Sequence, residues 1–157
     1  MIDPDSFRSV LGRFASGVTV LTTRADDRDM GMTVSSFCSL SLNPPLVLAC
    51  IDKTADLHPL LPRGHRVVFN ILSASQEWLS RRFSEEEGSQ RFDGVGFHRD
   101  RHGNAVLDEI VASIEGHIIQ QYDGGDHSIF LAEVDNATSS DLRPLLYYRG
   151  GYAELER

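Results

Sequence analysis

The chain has 157 residues, 41% hydrophobic and 24% charged, which suits one soluble domain with a real core and leaves no room for a large disordered part. Its 15 Lys and Arg against 23 Asp and Glu give a formal net charge of -8, which disfavours nonspecific binding to nucleic acid or to an anionic membrane. The start, Met1-Ile2-Asp3-Pro4-Asp5, has no signal-peptide pattern, and the longest apolar run, residues 46–51, is far too short to cross a bilayer. With two cysteines, Cys38 and Cys50, outside any C-x-x-C pair, a reducing cytoplasm is the expected location.

Asp3 is placed to cap a first helix and Pro4 to open it. Phe7, Val10, Leu11 and Phe14 repeat at i, i+3, i+4 and i+7, and Gly17 ends the pattern. β-Branched residues then predict a strand over 17–23, a turn over 24–29 and a second extended segment over 32–42. Pro44-Pro45 breaks that segment, and residues 46–51 form a third strand, apolar enough for burial on both faces. A loop over 52–64 carries one short helix near 56–61, and residues 67–72 form a fourth strand. Ser73 and Gln76 have capping-box spacing, so a helix follows through about Phe83. Residues 84–103 are polar and contain glycine, which reads as a long surface excursion. Strands over 112–121 and 129–134 flank the turn signal Asp123-Gly124-Gly125-Asp126, and residues 145–152 form the last strand. The six or seven strands follow one another through turns with no β-α-β alternation. The expected fold is therefore a single mainly β domain over 1–157, a largely antiparallel sheet with flanking helices. Closure into a β-barrel is compatible with this pattern and is not dictated by it.

The densest polar cluster is Thr33-Val34-Ser35-Ser36-Phe37-Cys38-Ser39-Leu40-Ser41. Hydroxyls at such spacing suit a ligand with many carbonyl, ring-nitrogen and phosphate acceptors, and they suit a solvated sheet edge equally. Asp52-Lys53-Thr54 closes a strand, where Lys53 and Thr54 could hold a phosphate or simply form a surface turn. His127, beside Asp126, could contact a nucleotide or act as acid or base, or be an exposed turn residue. The six histidines make no zinc-protease spacing, and no metal site is expected. The Rossmann, P-loop and nucleophile-elbow motifs are absent, so a nicotinamide nucleotide, if used, is not bound by a Rossmann unit.

The run Gly31-Met32-Thr33-Val34-Ser35-Ser36-Phe37-Cys38-Ser39-Leu40-Ser41-Leu42-Asn43-Pro44-Pro45-Leu46-Val47 closely resembles the signature of the flavin reductase family, the small reductase components of two-component flavin monooxygenases. The segments Phe14-Ala15-Ser16-Gly17-Val18-Thr19-Val20, Cys50-Ile51-Asp52-Lys53-Thr54, Phe69-Asn70-Ile71-Leu72, Arg91-Phe92, Gly125-Asp126-His127-Ser128-Ile129-Phe130 and Pro144-Leu145-Leu146-Tyr147-Tyr148 resemble the family in the same order. The resemblance implies an antiparallel Greek-key split barrel that binds FMN or FAD, usually as a homodimer. It implies hydride transfer from NADH or NADPH to flavin N5 and delivery of reduced flavin to a monooxygenase. It further implies that Met32, Thr33, Val34, Ser35, Ser36 and Ser39 line the isoalloxazine and ribityl chain. Asp52, Lys53 and Thr54 would lie near the phosphate end, and Arg82 and Phe83 would be a further flavin contact. His127 would lie by the nicotinamide, with Tyr147 and Tyr148 near it. A flavin storage or electron-transfer protein on the same barrel is the competing reading. The sequence departs from the family pattern over 83–107 and at Gly116-His117.

Overall fold

A computed structural model describes residues 1–156 of the chain. Helix α1 (Pro4–Leu11) begins as expected, with the Asp3 side chain accepting the Ser6 N–H, but it ends at Gly12 rather than Gly17. Strands β1 (Ser16–Gly17), β2 (Thr19–Ala25), β3 (Arg28–Val34), β4 (Phe37–Leu42) and β5 (Pro45–Asp52) follow. The turn between β2 and β3 is confined to Asp26 and Asp27, both at positive φ, so Arg28 and Asp29 already belong to a strand. The expected single segment over 32–42 is two strands, parted at Ser35 and Ser36.

Strand β6 (Arg66–Ile71) precedes the capping box of Ser73 and Gln76, which opens a short 3-10 turn leading into α2 (Glu77–Glu85). The excursion after α2 is not structureless, since it carries β7 (Phe97–Arg99), paired with β8 (Ala105–Leu107). Strands β9 (Ala112–Gly124) and β10 (His127–Ser139) are longer than their apolar cores because both continue as an exposed ribbon. The last expected strand is a hairpin, β11 (Leu145–Tyr148) and β12 (Gly151–Glu154), turning at Arg149 and Gly150.

One sheet of seven strands runs β3-β2-β6-β9-β10-β5-β4, and every pairing is antiparallel. The β9–β10 hairpin lies between β5 and β6, which is the Greek-key crossing. The two edge strands, β3 and β4, are consecutive in the chain. The curled sheet therefore brings its free edges together at Ser35 and Ser36, and that junction is the split of the barrel. Strand β10 is bulged against β9 near Val134 and Asn136. There a Cβ on Gly116 would sit 2.4 Å from the Glu133 carbonyl oxygen, so glycine is required at that position.

The barrel interior is filled by Leu21, Val47, Ala49, Ile51, Val67, Phe69, Ile118 and Phe130. A second apolar layer, with Val18, Val20, Leu72, Leu79, Phe83 and Leu107, packs α2, the excursion and β11 on the outside of the sheet. This corrects the expectation for β5, whose residues alternate between buried and half-buried. The strands buried on both faces are β2 and β6, because β8 covers the outer side of both and α2 that of β2. Asn70 on β6 ties the layers together. Its side-chain amide donates to the Val20 carbonyl at 2.9 Å, and its oxygen accepts the Leu107 N–H at 2.9 Å.

Candidate active site at the split of the barrel

The site forms where sheet edge, helix and C-terminal hairpin meet. Thr33 on β3 donates its hydroxyl to the Ser80 carbonyl of α2 at 2.7 Å. The Ser80 hydroxyl in turn lies 2.8 Å from the Tyr152 hydroxyl on β12, and Ser84 donates to the Ser80 carbonyl at 2.9 Å. These bonds fix the width of a hollow of about 250 Å³ lined by Val18, Thr33, Ser35, Ser80, Ser84, Tyr147 and Tyr152. Thr33 and Ser84 also line the next hollow, of about 290 Å³, with Met32, Thr54, Asp56, Leu57, Phe83 and Arg91. On the other side of Ser35 lies a wider, largely apolar hollow of about 750 Å³ walled by Leu11, Phe14, Ser36, Phe37, Cys38, Leu48, Cys50 and Tyr147. Partial burial in that wall, reinforced by the neighbouring Cys38, pushes the Cys50 thiol above its usual range.

Arg91 is the cation of the middle hollow. Its Nε donates to the Glu86 carbonyl at 2.9 Å and its Nη1 to the Gly31 carbonyl at 2.8 Å, and among the described residues no carboxylate pairs with it. Two neutral carbonyls therefore orient the guanidinium while its charge and remaining N–H groups stay available for an anion. Gly31 is constrained from its other side as well, since a Cβ there would lie 2.7 Å from Cε1 of Phe83.

A second group of residues gathers at the end of the β9–β10 hairpin. Asp52 and His127 are cross-strand partners, and Nδ1 of His127 lies 2.7 Å from Asp126. With Asp126 ionised, Nδ1 carries the proton and Nε2 remains free to accept or, once protonated, to donate. Asp52 accepts the Thr54 N–H at 2.8 Å and the Thr54 hydroxyl at 2.7 Å. Those two bonds, with lesser help from His127 and His58, hold the Asp52 carboxyl below the usual carboxylate range. Thr54 is the link between the groups, because it also lines the middle hollow. Lys53 pairs its ammonium with Asp123 and donates its backbone N–H to the Asp126 carbonyl at 2.9 Å, so it faces the hairpin.

The expected site residues thus divide. Met32, Thr33, Ser35, Ser36, Thr54 and Tyr147 come together along the groove. Val34 points into the barrel core and meets the groove edge only through its backbone, whose carbonyl accepts from Thr19 at 2.6 Å. Phe83 is fully buried and backs the groove from behind Gly31. Arg82 turns away, bonding the Asp93 carbonyl with its guanidinium 5.8 Å from the Trp78 ring centre. Ser39 and Tyr148 lie exposed outside the three hollows. Asp52, Lys53 and His127 stand at the hairpin end. The sequence reading gave no site role to Arg91, Ser80, Ser84, Tyr152 or Asp56. Arg91 was signalled by the Arg91-Phe92 motif, and Ser84 by its place one turn after Ser80 on α2.

Fold and groove together define a class: an antiparallel split barrel with a hydroxyl-lined cleft that offers aromatic and apolar walls to a ring and one uncompensated cation to an anionic tail. The sequence model of the flavin reductase like domain matches residues 11–156. The chain belongs to this family. It is 37% identical to the reductase subunit HsaB of a flavin-dependent monooxygenase from Mycobacterium tuberculosis, a match spanning 99% of this chain and 84% of that protein. It is 36% identical to the FMN reductase (NADH) SmoA of Agrobacterium fabrum over 97% of this chain and 86% of that one. The NADH:FAD oxidoreductase of Streptomyces globisporus, solved in complex with NAD and FAD fragments, superposes with a TM-score of 0.90 at 36% identity, covering 99% of this chain and 96% of that chain.

Proposed function

We propose that this protein is an NAD(P)H:flavin oxidoreductase that reduces FMN or FAD and supplies the reduced flavin to a partner monooxygenase. The observation that carries this reading is the groove at the barrel split, where Thr33, Ser35, Tyr147 and Tyr152 line one end and the unpaired charge of Arg91 lies at the other. The donor set fits a flavin: hydroxyls for the ring carbonyls and ribityl chain, aromatic faces for the ring system, a guanidinium for phosphate. A flavin held there would supply the redox chemistry, that of a hydride acceptor.

The chain's own residues orient and shield. Ser35 would meet the ring edge, Thr33, whose O–H is already given to the Ser80 carbonyl, would offer only an acceptor to a ring N–H, and Arg91 would hold the phosphate. His127, aligned by Asp126, contacts the nicotinamide nucleotide. NADH is the donor named for the Agrobacterium relative, and we take it as the donor here. The stepwise placement of hydroxyls, with no side chain needed as a nucleophile, accords with catalysis by proximity and orientation.

The protein pairs as a homodimer through the apolar face of α1 and the turn that follows it, where Val10 and Phe14 are 62% and 80% exposed. A second copy would cover this face beside the wide hollow that Phe14 and Leu11 already line. No helix among the described residues is long and apolar enough to cross a membrane. We place the protein in the cytoplasm, where its nucleotide substrate is abundant.

Equilibrium titration with FMN and with riboflavin tests the site. Arg91→Ala should weaken FMN by roughly tenfold to a hundredfold, the worth of a charged hydrogen bond, and leave riboflavin unchanged. Equal loss for both ligands, or none for either, would take the phosphate away from Arg91.

A further inference from the structure

The segment between β5 and β6 supplies Thr54, Asp56 and Leu57 to the middle hollow, which Arg91 also lines. Backbone bonds wind this segment tightly: Ala55 donates to the Asp52 carbonyl at 3.0 Å, and His58 donates to the Ala55 carbonyl at 3.0 Å. Its near end is fixed by strand pairing, since Asp52 lies opposite His127. Farther along, Leu57 is buried in the barrel core, an attachment that has no preferred direction. The directional tie is His58. Its Nε2 lies 2.8 Å from the hydroxyl of Ser128, the residue after His127, and its ring meets Phe130 edge-on with centroids 5.3 Å apart.

Ser128 is buried, and its hydroxyl also accepts from Gln121 Nε2 at 3.4 Å. The hydroxyl proton is then left for His58, whose Nε2 is the acceptor within reach. A buried hydroxyl left without an acceptor is costly, so this pair keeps its geometry. We infer that His58 is a positioning residue for hydride transfer: through Ser128 it keeps the wall of the phosphate hollow in register with the strand end that carries His127. This rests on reading the groove as the flavin site and His127 as the nicotinamide contact. His58 itself lines none of the three hollows, so it acts through other residues. The flavin phosphate and the nicotinamide nucleotide are gripped by different elements, and their rings meet correctly only if those elements keep a fixed spacing. A displacement of about 1 Å can cost on the order of a hundredfold in rate. A bond that ties the two elements together is therefore felt in kcat more than in flavin binding.

The test is steady-state turnover of NADH with FMN by wild type, His58→Phe, Ser128→Ala, the double variant and His58→Gln, each well below its unfolding midpoint. Phe keeps a ring against Phe130 and removes the acceptor, while Gln returns a carbonyl oxygen near the position of Nε2. His58→Phe and Ser128→Ala should each lower kcat roughly tenfold, with riboflavin affinity at the wild-type value. The double variant should be no slower than either single one, because both changes remove the same bond. His58→Gln should recover most of the rate. If His58→Phe does not fold, Ser128→Ala and His58→Gln decide the matter between them. Variants that lose only thermal stability and keep the wild-type kcat, losses that multiply in the double variant, or a slow His58→Gln would overturn the inference while wild-type turnover upholds the flavin reading. A wild type that consumes no NADH with FMN would remove both.

Discussion

At the scale of single residues, the side chains that matter most are those whose partners leave chemistry to spare. His127 is one. Asp126 fixes its Nδ1, and its other nitrogen is uncommitted at the mouth of the β9–β10 hairpin. His127→Ala is expected to raise the KM for NADH about tenfold, the order of one lost hydrogen bond, with flavin affinity unchanged. Unaltered kinetics with NADH would remove His127 from the nucleotide site. The sequence already pointed to Thr33, Ser35, Thr54 and Tyr147, because hydroxyls and aromatics cluster in short runs that can be read locally. It gave Arg91 no role because its significance arises from the Gly31 and Glu86 carbonyls and the absence of a paired carboxylate, none of which is a sequence pattern. Val34 shows the converse. It sits inside the polar run, yet its side chain belongs to the barrel core.

At the scale of elements, the strand and helix starts were legible where a residue carries its own mechanism, as at the Asp3 cap and the Ser73–Gln76 capping box. What was not legible is which strand is covered twice. The apolar run of β5 suggests double burial, but burial on both faces falls to β6 and to β2, whose threonines bury their hydroxyls against carbonyls. That outcome depends on where α2 and the excursion dock. The docking is held partly by Asp29, whose side chain is only 18% exposed and which Arg99 grips with two N–H groups at 2.8 and 2.9 Å. The Arg99 hydrogen bonds, then the charges of Arg99 and Arg24, hold the Asp29 carboxyl below its usual range. Because the folded pKa is depressed, the stabilisation is fully present above the unfolded value, about 3.9, and is lost as pH falls through the folded value. Asp29→Asn should lower stability at neutral pH by about 1–3 kcal/mol in urea unfolding, and its stability should fall less steeply than wild type below about pH 4. Parallel acid profiles for the two proteins would show that Asp29 does not bear this load.

At the scale of the whole molecule, the barrel is split because its two edge strands are consecutive in the chain, and the cleft lies at that split. An open edge is a hazard unless something covers it. Here the C-terminal hairpin and α1 flank it, and α1 with the turn after it leaves Phe7, Val10, Leu11 and Phe14 exposed. Phe14→Asp is expected to shift the protein from dimer to monomer in sedimentation velocity, while a monomeric wild type would refute the pairing. The central claim is turnover. Purified protein should consume NADH, followed by loss of its near-ultraviolet absorbance, at a rate that rises and saturates with added FMN or FAD. Flavin-binding protein that shows no NADH consumption above the enzyme-free rate would contradict it and leave a flavin carrier.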